Sequence, residues 1–407
     1  MSISFKGDDN FMNNDYNKVC VKDVKPFYKL SASSISLDIS QRSEVNNSFY
    51  YGRYSSNLNR LLEYKMLKLY NRANIEQEMR SSEEYSCRIL SSGMQALISV
   101  MYILAPVCDN ESEIVVAEDF YFEFIEYVKQ FHGLKVNFID FNNEYDIKAK
   151  ISKNTKAVFV EPSSVPFFQK KDLRRTFDLI HKLNPLTQIV VDNTILTPYY
   201  YNPFNDGADI CVDSLSKYIN GHGDVIAGSI VLKTVLLRGV CFADLNLIGS
   251  QLDQFSSYLV NRGIKTFPLR MDRITSNGCK LYQFLCSAKI CNLFKGRIEV
   301  YYAGVGGVVC FSLGNILFHN RLIDALKFIS RGCTFGTEVT LADVPVRTGV
   351  VGKWSSFVRV SLGLEQIDDI IGDIESAFFK VGNDFTFVED EYGFVVIDRE
   401  IINNEVN

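Results

Sequence analysis

The chain has 407 residues, enough for two or three structural units rather than one. Its 47% apolar and 22% charged residues are ordinary for a globular protein, and its net charge of −5 argues against nucleic acid or an anionic membrane as partner, since both favour a basic face. No run of roughly 18 uncharged apolar residues occurs, so no transmembrane helix is expected, and the polar, acidic start Met1–Asp9 is unlike a signal peptide.

Residues 1 to 48 are polar and rich in Asn, Asp and Ser, an arm that buries no core by itself. Leu61, Leu62, Met66, Leu67 and Leu69 recur at helical spacings and predict a helix over Leu61–Arg72. Cys87–Leu90 leads into Ser91, Ser92 and Gly93, and then a helical run Met94–Leu104. Strands are predicted at Ile114–Ala117, Val136–Ile139 and Ala157–Val160, and an aromatic-rich helix at Phe122–Phe131. A further helix is predicted over Asp172–Leu183, with Asp172 in its acid-favouring first turn. The strand Gln188–Val191 then delivers Asp192. This alternation predicts a wound α/β domain with a largely parallel sheet. Beyond residue 240, helices dominate from Phe242 to Leu285. Strands at Val308–Ser312 and Phe357–Ser361 and helices at Arg321–Phe328 and Gln366–Phe379 follow, with Gly393–Ile397 as an added strand. The expected division is an arm at 1–60, a large domain at 61–240 and a smaller α+β domain at 241–407.

The ten cysteines form no C-x-x-C pair and sit mostly among apolar neighbours, which predicts reduced core thiols in a cytoplasmic protein. Cys286 and Cys291 have no histidine or further cysteine pair at ligand spacing, so no metal site is expected. Gly304–Gly307 lacks the strand–loop–helix context of a dinucleotide loop. Trp354 suits a substrate mouth or plain packing equally, and His222 reads as a packing residue.

Two short apolar runs carry the chemistry. One ends in Asp192-Asn193-Thr194; the other, Asp209–Val212, runs on to Ser214, Ser216 and Lys217. Such strands pair in parallel, and ligands bind at their carboxyl ends. An acid, two hydroxyls and a lysine gathered there suit pyridoxal phosphate, which needs a lysine for its imine, an acid against its pyridinium nitrogen and donors for its phosphate. Gly93 at a helix start lets backbone N–H groups approach an anion closely.

These residues resemble the long lysine signature of the cystathionine γ-synthase/γ-lyase family, the Cys/Met-metabolism group of fold-type I pyridoxal-phosphate enzymes. The likeness runs from Tyr51 to Phe379, with further blocks at Tyr51–Arg53, Ser92–Met94, Arg262–Thr266 and Val358–Glu365. The resemblance implies an α/β fold: a large, mostly parallel seven-stranded sheet domain and a smaller C-terminal α+β domain. It implies that Lys217 is the Schiff-base lysine, that Asp192 keeps the pyridinium nitrogen protonated, and that Tyr121 stacks on the ring and helps protonate the leaving group. It implies cofactor contacts from Ser92, Gly93, Met94, Thr194, Ser214 and Ser216. It implies that Tyr51 and Arg53 reach the phosphate in a neighbouring subunit of a homotetramer built from dimers. Arg359 would anchor the α-carboxylate of an amino-acid substrate, with Thr334 beside it.

Two stretches depart from the family. Val165, in Pro162–Pro166, stands where the family has an asparagine that helps hold the cofactor's phenolic oxygen and the substrate carboxylate. Thr334-Phe335-Gly336-Thr337 replaces the family's Ser-Leu-Gly-Gly. Both lie where the carboxylate should sit, which predicts an altered substrate with cofactor binding intact. The expected reaction is γ-elimination or γ-replacement on O-acylhomoserine, cystathionine, methionine or a specialised-pathway analogue. Two alternatives stay open: a β-lyase acting on cystathionine or cysteine, and a relative that binds the cofactor without catalysis.

Overall fold

A computed structural model describes residues 40–42, 49–53, 55–70, 85–104, 111–130, 134–168, 171–233, 248–345, 356–382, 385–390 and 393–398. Trp354 and the first 39 residues of the expected arm lie outside these. The arm's described part is a hairpin of β1 (Ser40–Arg42) and β2 (Phe49–Tyr51), followed by α1 (Asn57–Tyr70).

Next in chain order come β3 (Tyr85–Leu90), α2 (Gly93–Leu104), β4 (Glu113–Ala117), α3 (Phe122–Lys129), β5 (Lys135–Ile139), α4 (Glu144–Lys150), β6 (Thr155–Val160) and α5 (Leu173–Leu183). They continue with β7 (Gln188–Asp192), α6 (Thr197–Tyr200), β8 (Ile210–Ser214) and β9 (Gly228–Lys233). Seven of these strands form one sheet in the order β3-β9-β8-β7-β6-β4-β5. Strands β8, β7, β6, β4 and β5 are parallel, and β9 is antiparallel to both its neighbours. The central parallel strands carry short apolar runs because the sheet is covered on both faces; β4 is buried at every position, while edge strand β5 exposes Lys135. Strand β9 follows β8 with no helix between them, which strand–helix alternation alone does not reveal.

The helices expected between Phe242 and Leu285 are, among the described residues, α7 (Gln254–Gly263) and α8 (Phe267–Leu285), joined by a single 3-10 turn. Asp253 starts α7, its carboxylate accepting from Ser256 N at 2.9 Å. Asp172 likewise precedes α5 as its cap, accepting from Arg175 N at 3.2 Å, rather than lying in the first turn. After α9 (Ala288–Leu293) come β10 (Glu299–Tyr302), β11 (Val308–Ser312), α10 (Ile316–Ala325), β12 (Ser330–Arg331), β13 (Leu341–Asp343), β14 (Val358–Ser361) and α11 (Ile367–Gly382). Helix α10 lies upstream of the expected Arg321–Phe328 because Asn315 caps it, accepting from Phe318 N at 2.9 Å.

Strands β10-β11-β14-β13-β12 make a second sheet. Phe294, Phe311, Phe318 and Phe378 interlock in its core at centroid separations of 5.0–5.8 Å. A further apolar cluster holds Cys211, Leu215, Tyr218, Met271, Ile274, Val308 and Cys310, so it packs residues of both sheets against α8. Strand β16 (Gly393–Asp398), expected as an addition, pairs with β15 (Phe385–Asp390) in a separate hairpin. Among the described residues no helix is long and apolar enough to cross a membrane.

Candidate active site

Strands β3, β8, β7, β6 and β4 run in the same direction, so their carboxyl ends share one edge of the sheet. The segments leaving that edge are Ser91–Gly93, Ser214–Lys217, Asp192–Thr194, Glu161–Val165 and Glu118–Tyr121. Residues scattered over more than a hundred positions are thereby gathered by the topology.

One end of this edge is built for an anion. Gly228 pairs with both Leu90 and Ser214. A Cβ on Gly228 would lie 2.2 Å from the Ser92 carbonyl, so only glycine lets that chain cross the start of β9. The crossing brings the N-terminus of α2 against Ser214: a Cβ on Gly93 would sit 2.9 Å from Ser214 Cβ. Ser92 Oγ caps the helix by accepting from Gln95 N at 2.9 Å. The Gly93 and Met94 amides, in the first turn, have no acceptor within the helix. Beside them the Ser214 hydroxyl has no hydrogen-bond partner among the described residues, while its amide donates to Thr194 Oγ1 at 2.8 Å. Ser216 is occupied differently: its hydroxyl donates to Ala227 O at 3.1 Å and accepts from Ala227 N at 2.9 Å. It braces the turn into β9.

Asp192 stands alongside. It accepts from Thr194 N at 3.0 Å; burial pushes its carboxyl above the usual range, and Thr194 opposes that rise. Tyr121 immediately precedes α3 and is 44% exposed. Burial raises its phenol, with the Glu123, Asp192 and Glu161 carboxylates adding to the rise. Residue types in sequence did not reveal Glu161, whose carboxyl is driven well up by burial and by Asp192. Lys171, its side chain only 1% exposed, ties the loops together by donating to Asp119 Oδ1 and to Glu161 O, both at 2.9 Å. The Ser164 hydroxyl also donates to Asp119.

The amine end combines both sheets. Lys217 Nζ donates to Thr334 Oγ1 at 2.8 Å and lies 4.8 Å from the centroid of the Phe335 ring. Arg359 reaches in from β14 and donates to the Cys333 carbonyl. Burial first, then the neighbouring Arg359 cation, lowers the Lys217 pKa, which favours a free amine. Arg270 was not legible as a site residue. From α8 it donates to Tyr218 O at 2.7 Å, Ile219 O at 3.1 Å and Gly263 O at 3.0 Å, holding the turn just after Lys217. Its only sequence trace is Gly221, where a Cβ would collide with the guanidinium.

Tyr51 and Arg53 lie on the surface, with the Arg53 guanidinium 5.5 Å from the Tyr51 ring centroid. Val165 is half-buried and, like Phe335 and Ile195, packs against the cluster shared by the two sheets.

Pyridoxal phosphate fits these residues. The close approach of Gly93 to Ser214 leaves two amides and a hydroxyl for a phosphate, Asp192 supplies a carboxylate, and Lys217 supplies an amine with a lowered pKa. Comparison with known proteins agrees. Residues 12–379 match the family described as Cys/Met metabolism PLP-dependent enzyme. An L-methionine gamma-lyase of Fusobacterium nucleatum is 31% identical over 339 residues, 75% of this chain and 83% of that protein. A cystathionine gamma-synthase/O-acetylhomoserine (thiol)-lyase of Bacillus subtilis is 32% identical over 304 residues, 72% and 78% of the two chains. The solved cystathionine gamma-lyase of Lactobacillus plantarum, complexed with L-serine, shares the fold with a TM-score of 0.72 at 24% identity, over 86% of this chain and 93% of that one. Sequence, sheet topology and relatives converge: the chain belongs to the Cys/Met-metabolism family of pyridoxal-phosphate-dependent enzymes.

Proposed function

We propose that the protein eliminates or replaces a substituent at Cγ of an amino acid, with Lys217 as the proton-carrying base. The observation that carries this reading is the placement of Lys217 Nζ on Thr334 Oγ1, with the Arg359 cation close enough to lower its pKa. Bound pyridoxal phosphate supplies an electron sink that acidifies Cα and Cβ of the substrate. Gly93, Met94 and Ser214 would hold the phosphate, and Asp192 would hold the pyridinium nitrogen. The Arg359 guanidinium would pair with the substrate α-carboxylate through two parallel N–H donors. The Lys217 amine, once free, would take the Cα proton, give it up again on the same face, and as a free amine later take one from Cβ. Tyr121, whose raised pKa keeps its phenol protonated, would give a proton to the departing group at Cγ.

O-acylhomoserines, cystathionine, methionine and a specialised analogue are the candidate substrates, and Val165 favours the last, because an apolar side chain cannot make the family's amide contacts. The exposed Tyr51 and Arg53 support shared active sites in a homotetramer of dimers. The free thiols of the described cysteines support a cytoplasmic setting. The test is to incubate the holoenzyme with each amino acid, with and without added thiol, and identify the 2-oxo acid released. Release of 2-oxobutyrate, or a new thioether with thiol present, is expected. Pyruvate alone would establish β-elimination instead. Borohydride should trap the cofactor on Lys217, and Lys217→Ala should lose that adduct; trapping at another lysine overturns the reading.

A further inference from the structure

Lys217 carries a positive charge whenever it holds a proton, and no ion pair with a carboxylate is made by it among the described residues. The Arg359 cation disfavours that charge, while Cys333 and the Glu123 carboxylate favour it electrostatically. Two groups meet the ammonium at short range. Thr334 Oγ1 accepts one of its protons at 2.8 Å, and the Phe335 ring lies 4.8 Å from Nζ. A cation over an aromatic face is attracted by the negative face of the ring quadrupole, more so when water is partly excluded.

That ring is held in place. It packs on Tyr218, the residue after the lysine, at 5.6 Å between centroids and an interplanar angle of 57°. Gly336, at φ +78°, has room for no Cβ, because one would lie 2.6 Å from the Tyr218 amide. Its own amide donates to Ser361 Oγ at 3.1 Å. The segment 334–336 is therefore pressed onto Lys217 and Tyr218, and the ring cannot swing away without opening that contact.

We propose that Phe335 is a positioning residue that holds the ammonium form of Lys217 against its ring, in opposition to Arg359. Leucine, which stands at this position in the resembled family's Ser-Leu-Gly-Gly, offers no π face. This chain would thus keep its proton-carrying amine protonated to higher pH, and parked on the 334–335 segment whenever it is not bonded to the cofactor. The inference rests on Lys217 being the proton carrier, but its test does not require turnover.

The full chain is freed of cofactor with hydroxylamine, and the acylation rate of Lys217 by acetic anhydride is followed by peptide mass spectrometry across pH. Phe335→Leu is expected to lower the pH midpoint by about 0.5–1 unit, the size of a partly desolvated cation–π contact. Phe335→Tyr, which keeps the face, is expected to stay within about 0.3 unit of wild type. Phe335→Met provides a second ring-free variant should the leucine variant misfold. A midpoint unchanged in both ring-free variants overturns the proposal, as does an equal shift in Phe335→Tyr. A purely structural role would lower the melting temperature without moving the midpoint, and that result also overturns it. Borohydride trapping on wild type separately reports whether Lys217 bonds the cofactor, so the two readings fail independently.

Discussion

Replacing Gly93 with alanine tests the anion cradle directly. The added methyl would lie 2.9 Å from Ser214 Cβ and 3.2 Å from its Oγ. Carbon atoms rest about 3.5–4.0 Å apart, so the first turn of α2 must retreat by roughly 0.6–1 Å. A shift of that size takes the Gly93 and Met94 amides out of good hydrogen-bond range, and a hydrogen bond to a charged group contributes about 1.5–3 kcal/mol. Loss of one such bond weakens cofactor binding about 10–100-fold. Helix propensity acts in the opposite direction, since alanine stabilises a helix by up to about 1 kcal/mol over glycine. Gly372→Ala separates the two effects: in α11 nothing lies within 4 Å of the new methyl. It should gain about 0.5–1 kcal/mol of stability and leave affinity unchanged. Spectrophotometric titration of the cofactor-free proteins with pyridoxal phosphate measures affinity, and thermal denaturation measures stability. Wild-type affinity in Gly93→Ala would refute the cradle.

Two other outcomes follow from the geometry. Arg359→Lys keeps the charge but loses the planar fork, so KM for amino-acid substrates should rise about 10-fold or more while the trapped adduct on Lys217 persists; steady-state kinetics check this. Asp213 is buried beneath the site, with Tyr70 donating to its Oδ2 at 2.7 Å, and burial raises its pKa to about 7. The folded protein therefore binds more protons than the unfolded chain between the ordinary carboxylate value, 3.8, and about 7, so this group's stabilisation is present at low pH and lost as pH rises through that window. Asp213→Asn should remove that decline, and its melting temperature relative to wild type should improve from pH 5 to pH 8; a constant difference would refute the assignment.

Much of the site was legible because its residues are local punctuation. Asp192 and Lys217 each follow a short apolar run, and Gly93 precedes a helical one, so residue type and period suffice to place them near strand and helix ends. Thr334 is different. The resemblance implies a place beside the substrate carboxylate; in the fold its hydroxyl accepts from Lys217, 117 positions away. Ser216 follows the same lesson, since its hydroxyl turns to Ala227 once β9 inserts beside β8. Arg270, within a stretch expected only to be helical, gives no local sign that it will bind the Tyr218 carbonyl 52 positions upstream.

The sequence by itself determined many of the elements and the cofactor chemistry, since torsional preference, apolar period and the residues that end each run are properties of neighbours in the chain. Only the tertiary structure decided which groups surround the amine. Thr334 and Phe335 come from the loop between β12 and β13, and Arg359 from β14 of the second sheet. Their meeting with Lys217 follows from burying Leu215, Tyr218, Val308 and Cys310 in one shared core, a condition on the whole chain that no window of residues contains.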